Sequence, residues 1–284
     1  MIDVREGDAL DVLRQLPAHS AHSVVTDPPY PEINRDYGRL SEVEWTELMH
    51  AVVTEARRVL VPNGSAVFVL QPNSERVGRM RPWLWDFLAW ASRAWNVVQD
   101  AYWWNHSAAP TVHCQRTRGL MRPSIKLCVW LGDPDCYRNQ GAVLWSPSAA
   151  MQAHSLEDRA LQRLPSGQTV RRGRIAATVH ERGGSTPFNI LPIANANSSS
   201  SGGAFGHCAA TPLALCRWWV RYLTPVGGVV LDPFAGSGTT AVACELEGMS
   251  CVAIERDARY AEIMRRRVRD VAPLFREKAA SDGS

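Results

Sequence analysis

The sequence predicts an α/β fold, a doubly wound and mostly parallel sheet with one loop-rich insertion. Two stretches and one rhythm carry that expectation. Val25-Thr26-Asp27-Pro28-Pro29-Tyr30 and Val230-Leu231-Asp232-Pro233-Phe234-Ala235-Gly236-Ser237-Gly238 each pass from a β-branched run through an acid into a tight Pro- or Gly-rich turn. Buried parallel strands have this form where their carboxyl ends open into a crevice. Elsewhere, short apolar runs alternate with helical spacings, the pattern of βα units.

Ile2 to Arg5 is the first expected strand, ending at Gly7-Asp8. Leu10, Leu13 and Leu16 share one side of a helix from Ala9 that Pro17 stops. Ser23 to Thr26 is the next strand. Glu42 to Leu60 is an amphipathic helix, with Ser41 as N-cap and Glu44 completing a capping box. Pro62-Asn63-Gly64 is a turn before the apolar strand Ala66 to Leu70. Trp83 to Trp95 is a helix whose Trp83, Trp85, Trp90 and Trp95 suit a core or a dimer surface. Val97 to Trp104 and Ile125 to Leu131 are strands. Residues 132–206 are poor in long apolar runs and rich in Arg, Ser, Pro and Gly, and the Ser/Gly stretch 195–203 is expected to be mobile. Order returns with helix Pro212 to Leu223, strand Gly228 to Leu231, helix Thr239 to Glu247, strand Cys251 to Ile254 and helix Asp257 to Val268. This divides the chain into 1–131, an insertion 132–206, a second half 207–275 and a disordered tail 276–284.

With 284 residues, 45% of them hydrophobic, the chain can bury a full core. Its net charge of +3 permits a nucleic-acid partner without requiring one, and its cations are mostly arginine, the better partner for phosphate and guanine. Cys114, Cys128, Cys136, Cys208, Cys216, Cys244 and Cys251 form no C-x-x-C pair. They suggest buried thiols in a reducing cytoplasm, with neither disulfides nor a metal. Met1 to Glu6 has no signal-peptide character and no apolar run spans a bilayer, so no membrane partner is expected.

Gly236-Ser237-Gly238 follows a strand and opens a helix, where glycine admits a close ligand and the helix N-terminus favours negative charge. Glu255 ends the following strand, the usual place for an acid that accepts ribose hydroxyls. Gly236, Gly238 and Ala241 also satisfy the nicotinamide dinucleotide pattern, so this turn alone leaves nicotinamide and S-adenosyl-L-methionine open. A third possibility is that the glycines only admit tight helix packing. Little more than one βα unit follows, too little for a two-lobed dehydrogenase.

Asp27-Pro28-Pro29-Tyr30 suits chemistry on an amino group. The exocyclic amine of a base is a poor nucleophile because its lone pair is delocalised into the ring. Acceptors that draw its protons out of plane restore the lone pair, and the Asp27 carboxylate and Pro28 carbonyl are two such acceptors. Consecutive prolines stiffen the turn. Tyr30 offers a flat face to an extruded base. The work is electrostatic positioning.

On these residues the chain resembles an amino-methylating DNA methyltransferase of the beta class, in which a D-P-P-Y segment precedes an F-x-G-x-G segment. The likeness extends to Gly7-Asp8-Ala9, to Arg58 through Gly64, to Trp104-Asn105-His106 with the Ser124 to Leu131 strand, and to His207 through Pro212. The resemblance implies a Rossmann-like methyltransferase sheet. Asp27, Pro28, Pro29 and Tyr30 would orient the target amine. Phe234, Gly236, Ser237 and Gly238, with Asp232 and Asp27 beside them, would surround the methionine part of S-adenosyl-L-methionine. Glu255 would take its ribose, Asp8 and Ala9 would lie near its adenine, and His207 would help close the pocket. Thr211 stands where the family usually has lysine, and Cys208 where it has proline. Thr211 can still donate a hydrogen bond on the cofactor side.

Carbon-5 methylation of cytosine needs a thiolate, usually in a Pro-Cys pair, and the chain has no such pair. An exocyclic nitrogen remains. By the habit of the resembling family, aspartate at position 27 indicates adenine N6, with cytosine N4 as the alternative. An inactive DNA-binding relative and a nicotinamide oxidoreductase are more distant rivals. Double-stranded DNA must be gripped while the base is flipped. Arg116, Arg118, Arg122 and Lys126, followed by Arg159, Arg163, Arg171, Arg172, Arg174 and Arg182, make the insertion the expected target-recognition element. Arg265-Arg266-Arg267 is expected to be a surface face of the last helix. A homodimer and a cognate restriction endonuclease are possible protein partners.

Overall fold

The computed structural model describes residues 1–35, 38–107, 120–121, 123–146, 161–163, 165–171, 179, 181–195 and 211–281. They form two compact units, 1–138 with 189–284, and 139–188.

In the first unit the order is β1 (Ile2–Glu6), α1 (Ala9–Gln15), β2 (Ala21–Thr26), α2 (Glu42–Val59), β3 (Leu60–Leu70), a small hairpin β4 (Ser74–Arg76) and β5 (Arg79–Met80), and α3 (Trp83–Ala94). Next come β6 (Val97–Gln99), β7 (Tyr102–Trp104) and β8 (Ile125–Gly132). The second unit contains a 3-10 turn (Gln140–Val143) and an antiparallel pair, β9 (Leu161–Arg163) and β10 (Thr169–Arg171). The first unit resumes with β11 (Ile190–Pro192), α4 (Leu213–Leu223), β12 (Val229–Asp232), α5 (Thr239–Leu246), β13 (Ser250–Glu255) and α6 (Ala258–Ser281).

Nine strands make one sheet in the order β1-β13-β12-β2-β3-β8-β7-β11, with β6 also on β8. Pairing is parallel from β1 to β3 and antiparallel around β8. The doubly wound expectation therefore holds, with an antiparallel flank. Strand periodicity explains the two layers. Val24, Phe68, Leu231 and Ile254 face a core shared with α1, α2 and α3, where Trp45, Trp83 and Phe87 pack edge to face. Their neighbours Val25, Val67, Val230 and Ala253 face the opposite core, shared with α4, α5 and Met264 of α6.

Several local expectations change. The Pro62-Asn63-Gly64 turn lies within β3 as a bulge, because the pairing with β2 jumps from Leu60 to Ser65. Val97 to Trp104 is broken at Asp100-Ala101, and both pieces pair with β8. Ile190–Pro192, inside the expected insertion, joins the main sheet beside Tyr102–Trp104. The last helix continues past Val268 to Ser281. Residues 276–280 are strong helix formers, which outweighs the expectation of a disordered tail there. Of the Ser/Gly stretch, all but Asn195 lies outside the described residues. Ser41 and Glu44 do form the capping box.

Candidate active site

β2 and β12 run side by side, so both acid-containing turns leave the sheet at the same edge. They open into one cavity of about 360 Å³ in the first unit. Asp8, Ala9, Asp27, Pro28, Pro29, Tyr30, Thr211, Asp232, Phe234, Gly236, Ser237 and Glu255 all line it. Asp8 also caps α1, accepting from the Leu10 N–H at 2.9 Å.

The floor is a link between the two turns. The Thr26 hydroxyl donates to Asp232 Oδ1 at 2.6 Å, and the Phe234 N–H donates to the same oxygen at 3.1 Å. Burial pushes the Asp232 carboxyl up to about 6, against the pull of the Thr26 and Thr240 hydroxyls. Beyond it, Gly236 adopts φ +52° and its N–H donates to Glu255 Oε2 at 2.8 Å. The Asp257 N–H donates to Glu255 Oε1 at 2.8 Å. Two backbone donors thus fix the carboxylate, while each oxygen keeps acceptor capacity toward the cavity. Burial raises the Glu255 pKa.

Gly238 is not among the lining residues. At φ +83°, a Cβ there would lie 2.3 Å from Met264 Cγ. Of the roles open to the glycines, close helix packing is the one visible at Gly238. Arg267 corrects the expected surface face. It is 6% exposed, and its Nη1 donates to the Ser237 carbonyl at 2.6 Å and to the Ser237 hydroxyl at 3.0 Å.

The other turn is pinned from several sides. Trp45 Nε1 donates to the Pro29 carbonyl at 2.6 Å, and Asn73 Nδ2 to the Pro31 carbonyl at 2.7 Å. Tyr30 stacks on Trp83 and donates its hydroxyl to Asp27 Oδ1 at 2.6 Å. Asp27 Oδ2 accepts from the Thr211 hydroxyl at 2.6 Å and from Lys126 Nζ at 3.1 Å. Thr211, expected on the cofactor side, therefore gives its hydroxyl to Asp27, the acid of the Pro-Pro turn. Lys126, grouped by sequence with the arginines expected to contact DNA, also serves that acid. The signal for Lys126 was its setting, since it is one of two lysines in the chain and sits in an apolar strand.

The arrangement presents a fixed carboxylate and an aromatic ring at one end and a backbone-held glutamate at the other. The Cys216 thiol also lines the cavity, but burial pushes it up to about 12, so it is a neutral thiol rather than a nucleophile. The described cysteines are all buried. Among the described residues no cluster suits a metal ion, and no helix is long and apolar enough to cross a membrane. His207, Arg116, Arg118, Arg122, Arg159, Arg172 and Arg174 lie outside the described residues. Arg163 and Arg171 belong to the β9–β10 pair of the second unit, and there Arg182 donates to Gln140.

Residues 21–266 match the family model described as DNA methylase. The type II methyltransferase M.XycI of Xanthomonas campestris pv. cyanopsidis is 30% identical over 268 residues, 90% of this chain and 83% of that protein. The DNA adenine methyltransferase YhdJ of Escherichia coli K12 is 25% identical over 275 residues, 95% of this chain and 83% of that one. Among solved structures, the cytosine-N4-specific PvuII DNA methyltransferase superposes with a TM-score of 0.69 at 20% identity, covering 96% of this chain and 91% of that one. A Thermus thermophilus protein, a putative DNA modification methylase solved in complex with S-adenosyl-L-methionine, gives 0.60 at 25% identity, covering 96% and 97%.

Proposed function

Because the chain belongs to the DNA methylase family whose model spans residues 21–266, we propose that it methylates the exocyclic N6 of an adenine flipped out of duplex DNA. It is a DNA methyltransferase of the N6/N4 class, and S-adenosyl-L-methionine is its methyl donor. The observation that carries the chemistry is the joining of Asp27-Pro28-Pro29-Tyr30 and Phe234-Ala235-Gly236-Ser237 in one cavity over the Thr26–Asp232 bond.

The cavity suits that donor. Its volume falls within the roughly 300–1,000 Å³ of small-molecule sites. Glu255, held by two backbone N–H groups, offers its remaining lone pairs to a ribose diol. The donor would supply a methyl group on a positively charged sulfur, the S–C bond breaking in a direct in-line displacement by the amine so that the sulfur leaves as a neutral thioether. Asp27 accepts a proton of the target amine in a hydrogen bond, turns the nitrogen's lone pair out of conjugation, and takes the proton after transfer. The Pro28 carbonyl is a second acceptor, and the Tyr30 ring is the wall against which the base lies. Fixed prolines and the Trp45 bond to Pro29 keep these groups in place. Flipping the base costs a few kcal/mol, which DNA contacts must offset. Arg116, Arg118, Arg122, Arg159, Arg163, Arg171, Arg172 and Arg174 are the proposed source, with the insertion as the target-recognition element. A homodimer and a cognate endonuclease belong to the same proposal.

Adenine is favoured by the charged Asp27 at the head of the turn and by the likeness to a protein named as a DNA adenine methyltransferase. Cytosine N4 is the second reading, favoured by the cytosine-N4-specific structural neighbour. DNA from cells expressing the chain, digested to nucleosides and separately sequenced with modification detection, decides between them. N6-methyldeoxyadenosine is expected. N4-methyldeoxycytidine alone would replace adenine with cytosine, and neither product would overturn the activity.

A further inference from the structure

Lys126 reaches from β8 to the head of the amine turn. Its Nζ lies 3.1 Å from Asp27 Oδ2 and 2.9 Å from the Tyr30 hydroxyl. The same ammonium sits over two aromatic rings, 5.2 Å from the centroid of Tyr30 and 5.1 Å from that of Trp103. The Lys126 and Asp27 side chains are only 18% and 16% exposed. Without DNA, the acceptor assigned to the target amine is thus already engaged by a nitrogen cation.

The surroundings of that cation are those a reacting amine requires. During methyl transfer the exocyclic nitrogen becomes tetrahedral and gains positive charge. It then seeks a carboxylate for its N–H groups and the negative faces of aromatic rings, as an ammonium does. The two nitrogens cannot share the place, because positive charge growing beside an ammonium would be repelled. A half-buried carboxylate without a counter-charge is also costly, so the pocket needs a cation while no base is present. The long unbranched stem of lysine lets that cation withdraw.

We propose that Lys126 is a positioning residue of the amine subsite: its ammonium stands in for the target nitrogen, keeps Asp27 and Tyr30 in their reactive orientation, and is displaced when the base arrives. The inference rests on the assignment of Asp27 as acceptor of the target amine.

The chain has two lysines, Lys126 and Lys278. Protein carrying Lys278→Arg and labelled with ¹³C and ¹⁵N in lysine therefore gives one set of side-chain signals, that of Lys126. Two duplexes are added without methyl donor, one bearing the mapped methylation site and one with an abasic residue at the target base. The Lys126 Cε signal should move from its ring-flanked position to that of solvated lysine with the first duplex and stay in place with the second. A signal unmoved by the first, or moved equally by both, would overturn the proposal.

Lys126→Met supplies an independent measurement. The ratio of affinities for target over abasic duplex should rise on the order of fivefold, the upper size of a partly exposed ion pair. A lower ratio would mean that Lys126 holds the base itself, and would also overturn the proposal. Failure to find any methylated base removes the enzymatic reading. A static Lys126 signal on a duplex the protein is known to methylate removes only this inference.

Discussion

The Thr26 hydroxyl donates a 2.6 Å hydrogen bond to Asp232 Oδ1, joining residues 206 positions apart at the ends of two adjacent strands. This bond ties the Asp27-Pro28-Pro29-Tyr30 turn to the Gly236-Ser237-Gly238 turn, and its acceptor is a buried acid whose pKa rises from 3.8 to about 6. The folded protein therefore retains a proton between those values that the unfolded chain has released. The associated stability is fully present below about 3.8 and is lost as pH rises through about 6. Denaturant titrations of wild type and Asp232→Asn should diverge across this window, with wild type losing on the order of 3 kcal/mol relative to the variant between pH 4 and 7. Glu255 shifts in the same direction, so the difference between the two proteins is the quantity to read. Parallel stability curves would show that Asp232 is not the buried acid described.

Gly238→Ala should destabilise the protein by about 2–4 kcal/mol. The backbone there is left-handed at φ +83°, and the new methyl would lie 2.3 Å from Met264 Cγ. The second cause is separable from the first. Adding Met264→Ala to Gly238→Ala should recover part of the loss relative to the sum of the single variants, because the clash disappears while the strained φ remains. Strict additivity in denaturant midpoints would sink the packing explanation.

What the sequence disclosed and what it hid follow from how far apart the interacting residues lie. Asp27-Pro28-Pro29-Tyr30 and the glycine turn carry strand, acid and turn in consecutive residues, so fold class and cavity could be read locally. Trp104 pairs with Ile125, in two stretches that the family resemblance, and no local pattern, brings together. Lys126 meets Asp27 across 99 positions, through antiparallel pairing that no local pattern reports. Arg267 looked like one arginine of a surface run, and only the approach of α6 to the glycine turn buries it. The break at Asp100-Ala101 falls beside the polar Gln99 and Asp100, but it depends on how β8 accepts two short partners, which the stretch from Val97 to Trp104 does not report by itself.

Arg267→Met should weaken S-adenosyl-L-methionine binding by roughly tenfold, the cost of leaving two buried acceptors on Ser237 without a charged donor. The Ser237 carbonyl and hydroxyl both accept from this guanidinium, and Ser237 lines the cavity. Calorimetric titration of wild type, Arg267→Lys and Arg267→Met should give a graded rise in Kd, since lysine retains the charge but is shorter and reaches the two Ser237 acceptors less well. A lower melting temperature with an unchanged Kd would restrict Arg267 to holding the helix.

Asp27→Ala and Tyr30→Phe separate the acceptor from the ring. Asp27→Ala removes the group proposed to draw the target amine out of conjugation, and kcat should fall by about 10²–10³ or more. Tyr30→Phe keeps the ring on Trp83 but removes the hydroxyl that donates to Asp27 Oδ1 at 2.6 Å. Without DNA the carboxylate then loses one of the three donors that orient it, and with the base in place of the Lys126 ammonium it keeps the Thr211 hydroxyl on Oδ2. A loss of about tenfold in kcat is expected, in line with a single hydrogen bond. Both variants should bind S-adenosyl-L-methionine much as wild type does, because the cofactor turn keeps its own bonds to Glu255 and Arg267. Single-turnover transfer of tritiated methyl groups to DNA, with calorimetry alongside, measures both quantities. Wild-type rates in Asp27→Ala would remove the acid from the chemistry. A Tyr30→Phe defect as deep as that of Asp27→Ala would make the phenol a reacting group rather than a support for the carboxylate.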